Sequence, residues 1–430
     1  VIKAWRSNMP GREGRRRLGR REILISLAVL GPGIIVNMVD TDAGGIATYS
    51  VSGARYGYNL LWVLTVTAVF LALIQEMIVR LGTVTGKGLA ALIRERFSLR
   101  ITALVMLALL FTNFANTVSN FAGLAASLQL FHVPPLLAIP PLAFAVWWLV
   151  VKGTYKRVEK IFLVVSLVYI AYFVSAFMAG PDWSEVGRAL VVPRFSMETS
   201  YLVLAVTNIG TTIAPWMLFY QQSSIVDKGL DTEKMGYERA DTLVGVFFAV
   251  LVGMFIIICC AAAFYYKPGI GAFSITSAEE AAAGLAPVAG KYASYLFGFG
   301  LFAASLFAAS ILPLTTAYTV CEAFGWEATL DRPFREASQF YLTYTLFIVG
   351  SALLVMIPRV NLVFIMVASQ TLNGVLLPVI VTYMMILAND REIMGEYVNT
   401  PRFNAVMWLV VAALYIINLV MIVSTFLPSG

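Results

Sequence analysis

Eleven apolar runs, most of them near the length that crosses a bilayer, decide what this chain can fold into. A spanning helix needs about 20 mostly apolar residues. The runs lie at roughly 22–56, 58–80, 101–130, 135–151, 161–180, 200–226, 242–266, 283–321, 338–357, 360–388 and 403–426. The eighth is long enough to include a helical lead-in near Ala281–Ala289. Only short connections separate the runs. They predict an all-α polytopic membrane protein, with a basic tail at 1–21 and a single transmembrane domain at 22–430. Composition agrees. Charged residues make up 13% of the 430, whereas a soluble domain carries about 25%. Too few charges are present to cover a water-exposed surface, and a chain that is 60% hydrophobic is not disordered.

The basic residues set the orientation. With the N-terminus inside, 24 of the 30 lysines and arginines fall on the cytoplasmic side. The other six are Arg55, Arg188, Arg194, Lys267, Lys291 and Arg359. That asymmetry predicts a plasma-membrane protein with a cytoplasmic N-terminus and an extracellular C-terminus. It also removes nucleic acid as a partner, because the net charge of +6 sits in loops and not on a binding face. No small-x-small cleavage pattern follows the first apolar run, so that run reads as retained.

Little in the chain supports an enzyme. The three cysteines, Cys259, Cys260 and Cys321, have no CxxC spacing. The one histidine, His132, sits in an FHVPP turn. No GxSxG, HExxH or P-loop pattern is present. Neither catalysis nor a bound cofactor is expected.

Two runs are interrupted. The first contains Asp40-Thr41-Asp42-Ala43-Gly44-Gly45, two carboxylates and two adjacent glycines within an apolar context. The sixth contains Thr211-Thr212-Ile213-Ala214-Pro215, where the proline removes a backbone donor. The interruptions are five spans apart, so the two halves would lie in opposite orientations. Paired broken helices in matching positions point to a transporter binding site. Two independent kinks are the plainer alternative, since glycine and proline are common in membrane helices.

Of 24 acidic residues, the span boundaries put only Asp40, Asp42 and Glu76 inside the membrane. A charge at mid-bilayer costs roughly 2.5–3.5 kcal/mol on insertion scales, so it faces a cavity or a partner. Arg55, Arg80 and Lys291 lie toward span ends, so no lysine or arginine lies deep within a span to pair with Asp42, and oxygen ligands at a helix break suit hard divalent cations. Glu76 has Arg80 four residues on, the spacing of a helical ion pair. The third span carries Asn113, Asn116, Thr117 and Asn120 on one helical face. These residues either line an aqueous path or bond between packed helices. The tenth span offers Gln370 and Asn373, three apart, toward the same region.

Several motifs resemble one family. Gly31-Pro32-Gly33, then Asp42-Ala43-Gly44-Gly45, then GARYGYNLLW at 53–62, look like the first span of the Nramp divalent-metal transporters. The loops GTVTGKGLAALIRERF at 82–97 and NDREIMGEYVN at 389–399, and the sixth span IGTTIAPWMLFYQQSS at 209–224, are similar too. The resemblance runs from about 22 to 425. It implies a LeuT-like fold of 11 transmembrane helices. Spans 1–5 (about 22–180) and 6–10 (about 200–388) would be inverted repeats with helices 1 and 6 broken, and 403–426 an extra span.

The departures from the family pattern carry the finer expectation. The first-span motif is Asp-Pro-Gly-Asn. Here Asp42 is kept, Ala43 replaces the proline and Gly45 replaces the metal-binding asparagine. In the sixth span, Ala214 stands for a metal-binding methionine, Trp216 for a histidine, and Gln221 for a second histidine. Third-span acids associated with proton passage align with Asn116 and, within one residue, Ser119. Losing a thioether shifts preference from soft to hard ions. These changes resemble the Nramp-related magnesium transporters, which implies uptake of Mg2+, with Mn2+ as a second cargo. The ion would be partly hydrated, because Mg2+ gives up water reluctantly. The absent histidines and acids imply no obligatory proton coupling.

Residue by residue, the resemblance makes Asp42 the main ligand and brings in the backbone carbonyls of Val39 and Thr211. Gly45 and Ala214 shape the site, and Gln370 and Asn373 help through oxygen or water. Asp40, Asn116, Asn120, Trp216 and Gln221 are assigned to the vestibule and pathway. Expected partners are the ion and the bilayer, with the chain acting as a monomer. The rival reading is an Nramp protein of the ordinary kind, carrying Mn2+ or Fe2+ coupled to protons.

Overall fold

The computed structural model describes residues 32–152, 170–267, 271–282, 290, 293–326, 335–358 and 360–426. The expected tail at 1–21, the start of the first run at 22–31, the first nine residues of the fifth run at 161–169 and most of the eighth run's lead-in at 283–289 lie outside the described residues. Within those described, every regular element is helical. The first span is two pieces, α1 (Pro32–Asp40) and α2 (Ala43–Tyr56). Then follow α3 (Leu61–Thr85), α4 (Leu89–Arg96), α5 (Leu99–Leu130), α6 (Pro135–Lys152), α7 (Ile170–Met178) and α8 (Trp183–Val191). The sixth span is again two pieces, α9 (Thr199–Thr212) and α10 (Pro215–Asp227). The remainder are α11 (Met235–Cys260), α12 (Ala278–Ala282), α13 (Ala293–Phe324), α14 (Ser338–Val355), α15 (Leu362–Ala388), α16 (Arg391–Met394) and α17 (Pro401–Phe426).

Among the described residues, eight helical segments are long and apolar enough to cross a membrane, counting α9–α10 as one, and α6 is a shorter apolar helix. The 25 residues of α3 rise about 38 Å, ample for a hydrocarbon core of about 30 Å. Helix ends are set by local chemistry. Ser98 caps α5 by accepting from Ile101 N, and Asn361 caps α15 by accepting from Phe364 N at 2.9 Å. Gly86 ends α3 in the left-handed region, φ 60°. His132 adopts φ 58° just past α5, in keeping with the turn expected for it.

Packing follows small residues. A Cβ built on Gly210 in α9 would fall onto the Gly374 backbone N and the Gln370 carbonyl of α15. One on Gly374 would lie 2.5 Å from the Val206 carbonyl. Backbones this close are the usual reason for glycine between membrane helices. The long helix α5 packs against both α13 and α15, and α11 lies against α1, α2 and α3.

The second span is tied near its C-terminal end by a buried arginine. Arg80 pairs with Glu76 at 3.2 Å, as the spacing predicts. It also donates to the Tyr397 carbonyl and Asn399 Oδ1, and it lies over the Phe403 ring. Arg239 of α11 takes the other Glu76 oxygen at 2.6 Å. Both Glu76 oxygens are therefore held by arginines. Arg80→Ala should cost about 2 kcal/mol, the scale of a few charge-assisted bonds lost while Glu76 keeps Arg239. A lowered thermal midpoint of the detergent-solubilised protein checks this.

Candidate metal site

Both broken spans stop and restart in the same way. In the first, α1 ends at Asp40 and α2 begins at Ala43, with Asp42 extended between them, φ −85° and ψ −171°. In the sixth, α9 ends at Thr212 and α10 begins at Pro215, with Ala214 extended at φ −77° and ψ 134°. Proline at the first helical position lacks only a donor that would be unpaired anyway. Ala214 is thus the cap of α10, buried at 1% exposure.

Asp42 is the centre of a hydrogen-bonded network. Its Oδ1 accepts from Gly45 N at 2.9 Å, closing the cap of α2. Oδ1 also accepts from Gln370 Nε2 at 3.4 Å, and Oδ2 accepts from Asn120 Nδ2 at 2.9 Å. Asn120 Oδ1 in turn accepts from Ala43 N at 3.2 Å. Behind Gln370, Asn373 Nδ2 donates to its Oε1 at 2.8 Å. Asn373 and Asn116 then exchange bonds, 2.7 Å one way and 3.2 Å the other. The network joins α2, α5 and α15. Every donor aimed at the carboxylate is a neutral N–H, and Asp42 itself is only 2% exposed.

Beside it, Gly45 lets three oxygens close in on one point. A Cβ there would lie 3.3 Å from the Asp40 carbonyl, 3.3 Å from Thr211 Oγ1 and 3.7 Å from Asp42 Oδ1. Thr211 Oγ1 is buried with no hydrogen-bond partner among the described residues. A buried hydroxyl of this kind costs about 1–3 kcal/mol until something satisfies it. Oxygens from α1, α2 and α9 therefore border one small space. An ion held there would meet the Asp42 carboxylate and neutral oxygens, a donor set of hard type. Among the described residues, no group of three or more His, Cys, Asp and Glu comes together.

The expected residues divide into three sets. Asp42, Asn116, Asn120, Gln370 and Asn373 share the network, while Asp40, Gly45 and Thr211 lie alongside it. Val39 is buried at the end of α1. Trp216 is buried in the core at 1% exposure. Gln221 turns away to α11, donating to Thr242 Oγ1 at 3.0 Å, with its own Oε1 unpartnered. The asparagine face of α5 bonds between packed helices, Asn113 to Thr316 included.

Two buried acids were not expected. Asp241 accepts from Gly33 N at 2.8 Å and Ile34 N at 3.3 Å, holding the first turn of α1 on α11. Glu238, one turn earlier, is fully buried. The apolar run begins at 242, so both acids read as loop, yet the helix begins at Met235. Their three-residue spacing was the available signal. Glu322, at the end of α13, accepts from Ser223 Oγ at 2.6 Å and so ties α13 to α10.

Comparison with known proteins agrees with this architecture. Residues 33–424 match the family described as natural resistance-associated macrophage protein-like, Nramp. A divalent metal cation transporter, MntH, from Ralstonia nicotianae is 30% identical over 91% of this chain and 90% of its own length. One of the same name from Verminephrobacter eiseniae is 28% identical over 96% and 92%. Among solved structures, the Eremococcus coleocola manganese transporter matches with a TM-score of 0.74 at 21% identity, covering 99% of this chain and 92% of that one. Mhp1, a nucleobase–cation symporter, matches at 0.57 and 14% identity, covering 93% and 94%. The fold is LeuT-like, as the resemblance implied, and with the family match spanning nearly the whole chain, this multi-pass membrane protein is a member of the Nramp family.

Proposed function

We propose that the chain carries a divalent metal cation across the membrane, binding it between the broken first and sixth spans at Asp42. The observation that supports this most is the buried carboxylate at a helix break. It is faced only by neutral donors, and the oxygens of Thr211 and the Asp40 backbone are close by. Uptake by a monomer in the plasma membrane is part of this reading, and the charge distribution supports its orientation, N-terminus inside and C-terminus outside.

Two ions compete for the role. The relatives bear the name divalent metal cation transporter, and the solved neighbour is titled a manganese transporter. Those names favour Mn2+ and the proton-coupled reading over Mg2+. Magnesium keeps two observations in its favour: Ala214 brings no thioether to the break, and the atoms that border Gly45, from Asp40, Thr211 and Asp42, are oxygens. Proton coupling lacks an obvious carrier on α5, where Asn113, Asn116 and Asn120 are all amides.

Purified protein in liposomes separates the readings. Manganese uptake that acidifies the lumen supports the proton-coupled transporter. Magnesium uptake at constant luminal pH supports the magnesium reading. Flux of neither ion overturns both.

A further inference from the structure

The amides of Gln370, Asn373 and Asn116 form a chain that ends on Asp42, and the carboxylate sets its polarity. An ionised carboxylate only accepts. Gln370 accordingly turns Nε2 to Asp42 Oδ1 and leaves Oε1 for Asn373 Nδ2. Asn373 Oδ1 then accepts from Asn116 Nδ2. All three amides are buried, at 2%, 0% and 0% exposure, so none can trade a partner for bulk water. A cation at Asp42 reverses the demand at the first link, because it takes oxygen and repels N–H groups. Gln370 must turn over, giving Oε1 to the cation and Nε2 to Asn373. Asn373 must then accept from Gln370 and donate to Asn116. The paired bonds between Asn116 and Asn373 run in both directions, so Asn116 can serve either polarity. Gly44 gives the turning amide its room: a Cβ there would land on Gln370 Nε2 and 2.7 Å from its Cδ.

We infer that Asn116 and Asn373 are positioning residues for the transported ion, setting through Gln370 how readily an amide oxygen turns toward Asp42. This rests on the ion site proposed at Asp42. It assigns α5 a role in affinity without contact with the ion.

The test is equilibrium binding of Mn2+, and separately Mg2+, to the purified full-length protein. The variants are Asn116→Asp and Asn116→Leu, each with and without Gln370→Leu, and Asp42→Ala alone. A carboxylate at 116 only accepts. It draws Asn373 Nδ2 toward itself and leaves Asn373 Oδ1 for Gln370 Nε2, the polarity the ion needs. Binding should tighten roughly fivefold, the scale of one neutral hydrogen bond, and the gain should vanish with Gln370→Leu. A gain that survives Gln370→Leu is attraction by the added charge alone and overturns the relay. Asn116→Leu, which adds no buried charge, carries the same test if the aspartate variant does not fold. Its effect should disappear when Gln370 is already leucine, whereas additive effects overturn the proposal. Asp42→Ala keeps the two failures apart. Wild-type binding in that variant refutes the ion site itself. Lost binding there, with additive effects elsewhere, refutes only the relay.

Discussion

Asp42→Ala should reduce divalent-metal uptake in proteoliposomes to the level of empty vesicles while the protein remains folded. The variant removes the one carboxylate at the centre of the network. It leaves Asn120 Nδ2, Gln370 Nε2 and Gly45 N without their acceptor. Each orphaned donor costs about 1–3 kcal/mol. Losing a buried charge offsets part of that, because a carboxylate out of water carries a desolvation penalty of several kcal/mol. The net change in stability is therefore modest, and the loss of flux is not explained by unfolding. Asp42→Asn, which keeps the volume and can still accept from Asn120, isolates the charge. Uptake at the wild-type rate in either variant would remove Asp42 from the site.

The second large effect is mechanical. Gly210→Ala should abolish uptake and destabilise the protein by more than about 3 kcal/mol, above the 1–3 kcal/mol usual for overpacking. The added carbon would meet the Gly374 N, the Gln370 carbonyl and, at 2.7 Å, the Gly374 Cα. These are backbone atoms of a 27-residue helix and cannot rotate aside. α15 must shift away from α9, taking Gln370 from Asp42. Gly187→Ala is the control. It lies in α8 with nothing within 4 Å of the new carbon, and alanine is the better helix former. Thermal unfolding and uptake measured on both variants decide the matter; an unchanged Gly210→Ala protein refutes the close seam.

Much of this was legible in the sequence because the bilayer imposes length and polarity rules on every span. The two breaks, the central carboxylate and the Glu76–Arg80 pair all follow from residue type and spacing. The asparagine face of α5 was visible as a face, but its partners were not. Whether Asn116 meets water or Asn373 depends on a contact between residues 257 positions apart. Hydropathy also misplaced the start of α11. Glu238 and Asp241 sit on the helix before its apolar stretch, and the fold buries them by laying α1 across them. Gln221 shows the opposite limit. Its place in a family motif suggested the pathway, while its geometry gives it to Thr242.

The cap that Asp42 makes on α2 has a kinetic meaning. The first turn of a helix carries roughly half a positive charge, and here it is aimed at the same oxygens an ion would use. An ion arriving at the proposed site would compete with a dipole that never leaves, so it would meet an anion already partly neutralised. A carrier gains from that competition. Cargo held too tightly is cargo never delivered, and passage demands a site generous enough to enter and weak enough to leave. By sharing its carboxylate with its own backbone, the first span would trade grip for turnover if Asp42 holds the ion.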